Sequence, residues 1–242
     1  MWADDLVLEK TSSEISQELR GYWSFNSTSG GMVSDSSGLG NDGLLKNGAS
    51  TTSGQFLDAL NVVGNDCVEV PDHESIEPET ITLSAWIRPE RIDKWARVLA
   101  KYYWTRTGIS GSWILGFGNE LPDRSLRIKF NIDGTWGKTV KFNHKIALNQ
   151  WVHVAVTYDG DRVKMYVNGK LDRDVNYANG SISGSNEPIG IGAAISTTGS
   201  TQNHFNGQID EVRLQGGALS ANDILALPEL LEEPNYALDL EE

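Results

Sequence analysis

The stretch Asp35-Ser36-Ser37-Gly38-Leu39-Gly40-Asn41-Asp42-Gly43 sets two carboxylates, one amide and three glycines in nine residues. Hard cations such as calcium take oxygen ligands from carboxylates, amides and backbone carbonyls at about 2.3–2.6 Å. Glycine lets a backbone fold tightly enough to aim several carbonyls at one point. This is not an EF-hand, because the twelfth position from Asp35 is Lys46, where a bidentate glutamate is needed. A second reading stays open: a glycine turn in which Asp35 caps backbone amides.

Seven of the 8 tryptophans divide into two groups. Trp23, Trp86, Trp113 and Trp151 lie in alternating apolar runs, which predicts core positions. Trp95, Trp104 and Trp136 lie in polar, glycine-marked stretches. Trp95 follows Asp93-Lys94, Trp104 lies in Tyr102-Tyr103-Trp104-Thr105-Arg106-Thr107-Gly108, and Trp136 lies in Asp133-Gly134-Thr135-Trp136-Gly137-Lys138. Sugars present C–H faces to aromatic rings and hydroxyls to polar side chains. Trp95, Tyr103, Trp104, Arg106, Trp136 and Asn203 are therefore candidate ligand-binding residues, with Asn131 and Lys138 as further contacts. Arg106 or Lys138 could pair with an acidic sugar. The alternative is that long loops bury these aromatics as a satellite cluster.

Strands must position these residues. From Gly21 the hydrophobic period is two, with Tyr22 to Phe25 as a first strand. Thr80 to Arg88 alternates cleanly and stops at Pro89. Trp151 to Tyr158 is followed by Asp159-Gly160, Arg162 to Val167, Asn168-Gly169 and another short run, a meander with two tight turns. Ser220 caps a short helix that ends before Pro228. Residues 1–20 read as a partly helical lead-in around Ser13 to Leu19, 21–227 as one domain, and 228–242 as an acidic tail. Many short strands and almost no helix predict an all-β, two-sheet antiparallel sandwich with short helices at its termini.

The formal net charge of −13 resides mostly in the two end segments, so the body is close to balanced. No basic patch stands out, which argues against nucleic acid as a partner. No stretch approaches the roughly 20 apolar residues of a membrane span, so membrane insertion is not expected. The start, Met1-Trp2-Ala3-Asp4-Asp5, has no signal-peptide pattern. The single Cys67 excludes an internal disulfide and reads as a buried thiol.

Four stretches in order resemble a known family: Gly21-Tyr22-Trp23-Ser24-Phe25; Asp35 to Gly43; Trp151 to Gly160 running on to Tyr166-Val167-Asn168-Gly169; and Gly207-Gln208-Ile209-Asp210-Glu211-Val212-Arg213. Together they resemble the laminin-G-like, concanavalin A-like jelly-roll domains of secreted and cell-surface proteins, over about 21–227. The resemblance implies a jelly-roll sandwich, often with one structural calcium, and often glycan or protein binding. It implies that Asp35 and Asp210 meet at the calcium, with Asn41 and Asp42 as further ligands. It does not imply a reaction.

Related glycosidases carry a Glu-x-Asp-x-Glu strand. Here Gln208 and Val212 stand at its outer positions, and adjacent Asp210 and Glu211 are expected on opposite sheet faces. His144 and His204 lie near loops but in no lyase pattern. The sequence thus predicts a non-catalytic polysaccharide-binding module of a larger extracellular or cell-surface protein, with a structural calcium. The competing readings are a calcium-dependent protein-adhesion module and a jelly-roll lyase or glycosidase. Absence of cysteine pairs fits a bacterial origin better than an animal one.

Overall fold

The computed structural model describes residues 18–119 and 125–227. The helical expectation around Ser13 and the acidic tail 228–242 lie outside the described residues. Leu19 and Arg20, expected in the lead-in, belong to a strand, so the sandwich starts earlier than the hydrophobic period suggests.

In chain order the strands are β1 (Leu19–Trp23), β2 (Thr28–Ser29), β3 (Met32–Val33), β4 (Gly43–Lys46), β5 (Ser50–Ser53), β6 (Asp58–Val62), β7 (Cys67–Val70), β8 (Ile81–Arg91), β9 (Arg97–Thr105) and β10 (Gly108–Gly116). They continue as β11 (Arg127–Ile132), β12 (Thr135–Trp136), β13 (Val140–Lys141), β14 (Val152–Tyr158), β15 (Arg162–Val167), β16 (Lys170–Asn176), β17 (Ile189–Ile191), β18 (Ala194–Ile195), β19 (Thr201–Gln202) and β20 (Asn206–Gly216). A 3-10 turn at Glu74–Ile76 and one helix, α1 (Ala221–Ala226), complete the described elements.

The expected antiparallel two-sheet jelly roll is present. One sheet has 8 strands in the order β16-β15-β14-β8-β20-β6-β5, with β1 added on β20. The other has 10 strands in the order β12-β11-β10-β9-β17-β7-β4-β3-β2, with β13 on β11. The meander β14–β15–β16 forms as the turn residues predict. Asn168 and Gly169 take φ of 47° and 73°, the left-handed pair that a tight hairpin needs.

Alternation decides which side chains enter the core. Ile81, Leu83, Ala85 and Ile87 of β8 point inward, as do Val152, Val154, Val156 and Tyr158 of β14. Trp23 and Trp113 are core residues, as expected, each with 1% of its surface exposed. Trp86 is not. It lies between inward Ala85 and Ile87, and so sits on the outer face against Phe56 (5.8 Å between ring centroids) and His153 (5.5 Å). Trp151 precedes β14 and is half-buried. The sequence pattern misassigns these two because part of the outer face is also covered, which makes both sets of positions apolar. The cover is α1, whose flanking Leu219 and Leu227, with Ile224, pack on Ala155 and Tyr166. A capping box between Ser220 and Asp223 fixes its start.

At one end of the sandwich Lys101 is fully buried. Its ammonium donates to Asp72 Oδ1 (2.5 Å), Ser185 O (2.8 Å) and Glu187 O (2.6 Å), and lies 2.9 Å from Glu77 Oε1. One cation thus ties the β7–β8 connection to the β16–β17 connection.

Candidate functional site

On the ten-stranded sheet, Ile128, Phe130 and Ile132 of β11 point into the core, which leaves Lys129 and Asn131 on the outer face. The turn Asp133-Gly134 (φ 47° and 81°) sends the chain back, so that Trp136 of β12 pairs opposite Asn131. The neighbouring strands supply Tyr102, Ala100 and Ile114, which pack with Trp136 and Ala194 into a small outer cluster. Tyr102 and Trp136 meet edge to face at 6.1 Å. Lys129 Nζ stands 5.6 Å from the centre of the Trp136 ring. Arg97 lies 5.4 Å from the Tyr102 ring and 5.8 Å from the Trp95 ring. Trp95, Arg97, Tyr102, Trp136 and Lys129 thus form one continuous aromatic and cationic strip.

Backbone strain marks one end of the strip. Trp95 takes φ 64° and Asn203 takes φ 60°, and Arg97 N donates to Asn203 O at 2.8 Å. A non-glycine residue in the left-handed region costs on the order of 1–3 kcal/mol and persists where the surroundings enforce it. Here the fold holds an indole that is 44% exposed. Arg97 itself is 5% exposed; burial lowers its pKa, and Tyr102 opposes that. Its Nη1 donates to Phe117 O at 3.0 Å. Arg97 Nε, Trp136 Nε1 and Asn131 Oδ1 are buried without a hydrogen-bond partner in the structure. Such atoms each cost about 1–3 kcal/mol unless something pairs with them.

The predicted ligand residues divide accordingly. Trp95, Trp136 and Asn203 belong to the strip or its border. Trp104 (51% exposed) and Arg106 lie on the projecting β9–β10 hairpin, where Trp104 pairs opposite Ile109. Tyr103 is half-buried and alternates away from Tyr102. The sequence reading missed Arg97, Tyr102 and Lys129. For Lys129 the signal was available, since it alternates with the apolar residues of β11.

The proposed calcium ligands have other partners. Asp35 Oδ1 accepts from the amides of Tyr22 and Ser37 (both 2.9 Å). Its Oδ2 accepts from the Asn41 amide (2.9 Å) and the Ser37 hydroxyl (2.6 Å). Asp42 Oδ1 accepts from Asp35 N at 2.8 Å. Asn41 donates to Arg20 O (2.8 Å) and accepts from Ser75 Oγ (2.9 Å). Asp210 accepts from the amides of Gln55 (2.9 Å), Phe56 (3.0 Å) and Glu211 (2.8 Å). A carboxylate has about four acceptor sites, and those of Asp35 all face donors. Among the described residues no group of three or more His, Cys, Asp or Glu is arranged to hold a metal ion. Asp35 and Asp42 thus hold their own loop together, and Asp210 holds the Gln55–Phe56 turn.

Asp210 and Glu211 also correct the alternation argument. A bulge interrupts β20, with Glu211 at φ 51°, between inward Ile209 and Val212. Two residues separate the core positions, so the carboxylates do not simply take opposite faces. Burial pushes the Asp210 carboxyl up to about 7 and raises Glu211. The Tyr22 hydroxyl donates to Glu211, and the Arg213 guanidinium lies 3.8 Å from the centre of the Tyr22 ring.

Residues 63–225 match the family model described as the Concanavalin A-like lectin/glucanases superfamily, of laminin G type. Pappalysin-1 from Mus musculus is 25% identical over 177 residues, covering 65% of this chain and 11% of that protein. The chain thus spans only a small part of this relative. Domain 4 of AbnA, an extracellular GH43 arabinanase from Geobacillus stearothermophilus, superposes with a TM-score of 0.67 at 20% identity. The match covers 87% of this chain and 98% of that one, which was solved with arabinotriose. Botulinum neurotoxin type C, whose cell entry depends on two ganglioside molecules, gives 0.67 at 18% identity over 91% of this chain and 53% of that one. These likenesses establish the fold. No helix among the described residues is long and apolar enough to cross a membrane.

Proposed function

We propose, since this chain belongs to the Concanavalin A-like lectin/glucanases superfamily, that it is a non-catalytic glycan-binding module of a larger extracellular or cell-surface protein. The observation that carries this reading is the strip from Trp95 through Arg97, Tyr102 and Trp136 to Lys129. Its rings offer faces and edges to sugar C–H groups. Lys129, partly exposed, supplies a donor to hydroxyls, and its charge suits a sugar acid. The arabinotriose bound by the arabinanase domain supports a polysaccharide as the class of ligand. In this reading the Asp35 loop is held by its own amide hydrogen bonds, and calcium has no part in binding.

A glycan array tests the proposal, followed by titration of each hit against Trp95→Ala and Trp136→Ala. Each substitution should weaken binding of the array hits by roughly thirtyfold without lowering the melting temperature by more than a few degrees. Undiminished glycan binding in both variants would overturn the assignment of this surface. Release of new reducing ends or unsaturated products from a bound polysaccharide would overturn the non-catalytic reading.

A further inference from the structure

A cleft of about 300 Å³ lies between the Asp35 loop and the end of β7, away from the aromatic strip. Met32, Leu39 and Pro71 line it on the apolar side, and Asp42, Asp72 and His73 on the polar side. Two of its apolar side chains are large and unusually open, Met32 at 42% and Leu39 at 46% exposed. Ligand pockets span roughly 300–1,000 Å³, so this one accommodates a single small ring.

Each polar group is anchored at one atom and free at another. Asp42 holds Asp35 N through Oδ1, and Asp72 holds Lys101 through Oδ1. His73 Nδ1 lies 2.8 Å from Ser75 Oγ and 3.2 Å from Ser75 N. Its Nε2 donates to or accepts from a ligand hydroxyl, according to the tautomer. Asp42 Oδ2 and Asp72 Oδ2 are acceptors only. A ligand here must bring donors for two carboxylates, a hydroxyl for the imidazole, and an apolar face for Met32, Leu39 and Pro71. A metal ion satisfies none of the apolar requirement, and an anionic ligand meets two carboxylates.

We infer that this cleft is a second binding site, for one sugar ring bearing no negative charge, either neutral or amino. The site is independent of the aromatic strip. The carboxylates bind hydroxyl or ammonium donors through charge-assisted hydrogen bonds, and the aliphatic wall covers one face of the ring.

Saturation-transfer NMR on the full chain tests this with glucose, galactose, arabinose, glucosamine, glucuronate and galacturonate. At least one neutral or amino sugar should receive saturation, and the two uronates should not. Leu39→Glu, at an exposed position, should weaken that binding about tenfold, equivalent to 1.4 kcal/mol. Its melting temperature should stay unchanged. Trp95→Ala should leave this binding intact, which separates the cleft from the strip. The inference is overturned if no neutral or amino sugar is saturated, if uronates bind equally, if Leu39→Glu has no effect, or if binding requires added calcium.

Discussion

The Lys101 ammonium lies 2.9 Å from the Glu77 carboxylate, at the end of a side chain with no exposure to solvent. Asp72 and two backbone carbonyls complete its surroundings. Removing the cation leaves four oxygens turned toward one point with nothing between them. Breaking such a buried pair from one side costs on the order of 3–5 kcal/mol. Asp72 and Glu77 are partly exposed (32% and 24%), which places Lys101→Met near the lower end of that range. Urea denaturation should show a lower midpoint with an unchanged slope.

His153 sets an acid limit on stability. Burial, reinforced by the Arg213 charge, lowers its pKa from 6.5 to about 4. The folded state therefore binds fewer protons than the unfolded state across that interval. Stability contributed by keeping the ring neutral is complete above pH 6.5 and falls as the pH drops toward 4, by about 3 kcal/mol in full. Asp210, raised from 3.8 to about 7, has the opposite sign and loses stability as the pH rises through that window. Melting curves of His153→Gln should consequently decline less than those of the parent between pH 6.5 and 4. An identical decline in both proteins would contradict the assignment.

Trp95 separates binding from stability. Its φ of 64° suits glycine better than tryptophan, and its ring is largely outside the core. Trp95→Gly should therefore match or exceed the parent in melting temperature. Loss of a stacked indole of hot-spot type costs about 2 kcal/mol, or roughly thirtyfold in Kd. Calorimetry with the best glycan from the array measures both effects on one sample.

Asp35 carries four hydrogen bonds from its own neighbourhood, three of them from backbone amides. Excess chelator should leave the melting temperature unchanged, whereas Asp35→Ala should lower stability by about 2 kcal/mol or more. A large chelator-induced drop would restore calcium to this loop.

The sandwich was legible in the sequence because its signals are local. Alternation from Val152 to Tyr158 and the Asn168-Gly169 turn each depend on a few consecutive residues. What escaped depends on residues far apart in the chain. Arg97 and Tyr102 read as ordinary strand positions until β9 is placed beside the Trp136 hairpin. The bulge at Asp210 and Glu211 has no glycine to announce it. Asp35 offered a metal ligand and a loop cap in the same letters, and Tyr22 N, 13 residues away, had to be placed before they could be weighed against each other. The outer-face position of Trp86 likewise required knowing that Phe56 and α1 cover parts of that face.

The strand order has a consequence for how the chain acquires its shape during synthesis. β20 is the last of the described strands, yet it lies between β8 and β6 and also receives β1. A nascent chain stopped before Asn206 would hold β1, β6 and β8 with no central partner to join them. The sheet can close only after nearly the whole domain has left the ribosome, and contacts of such long sequence separation form slowly. Until then, open strand edges face one another across an unfilled seam, the interval in which a chaperone would meet this polypeptide unfolded.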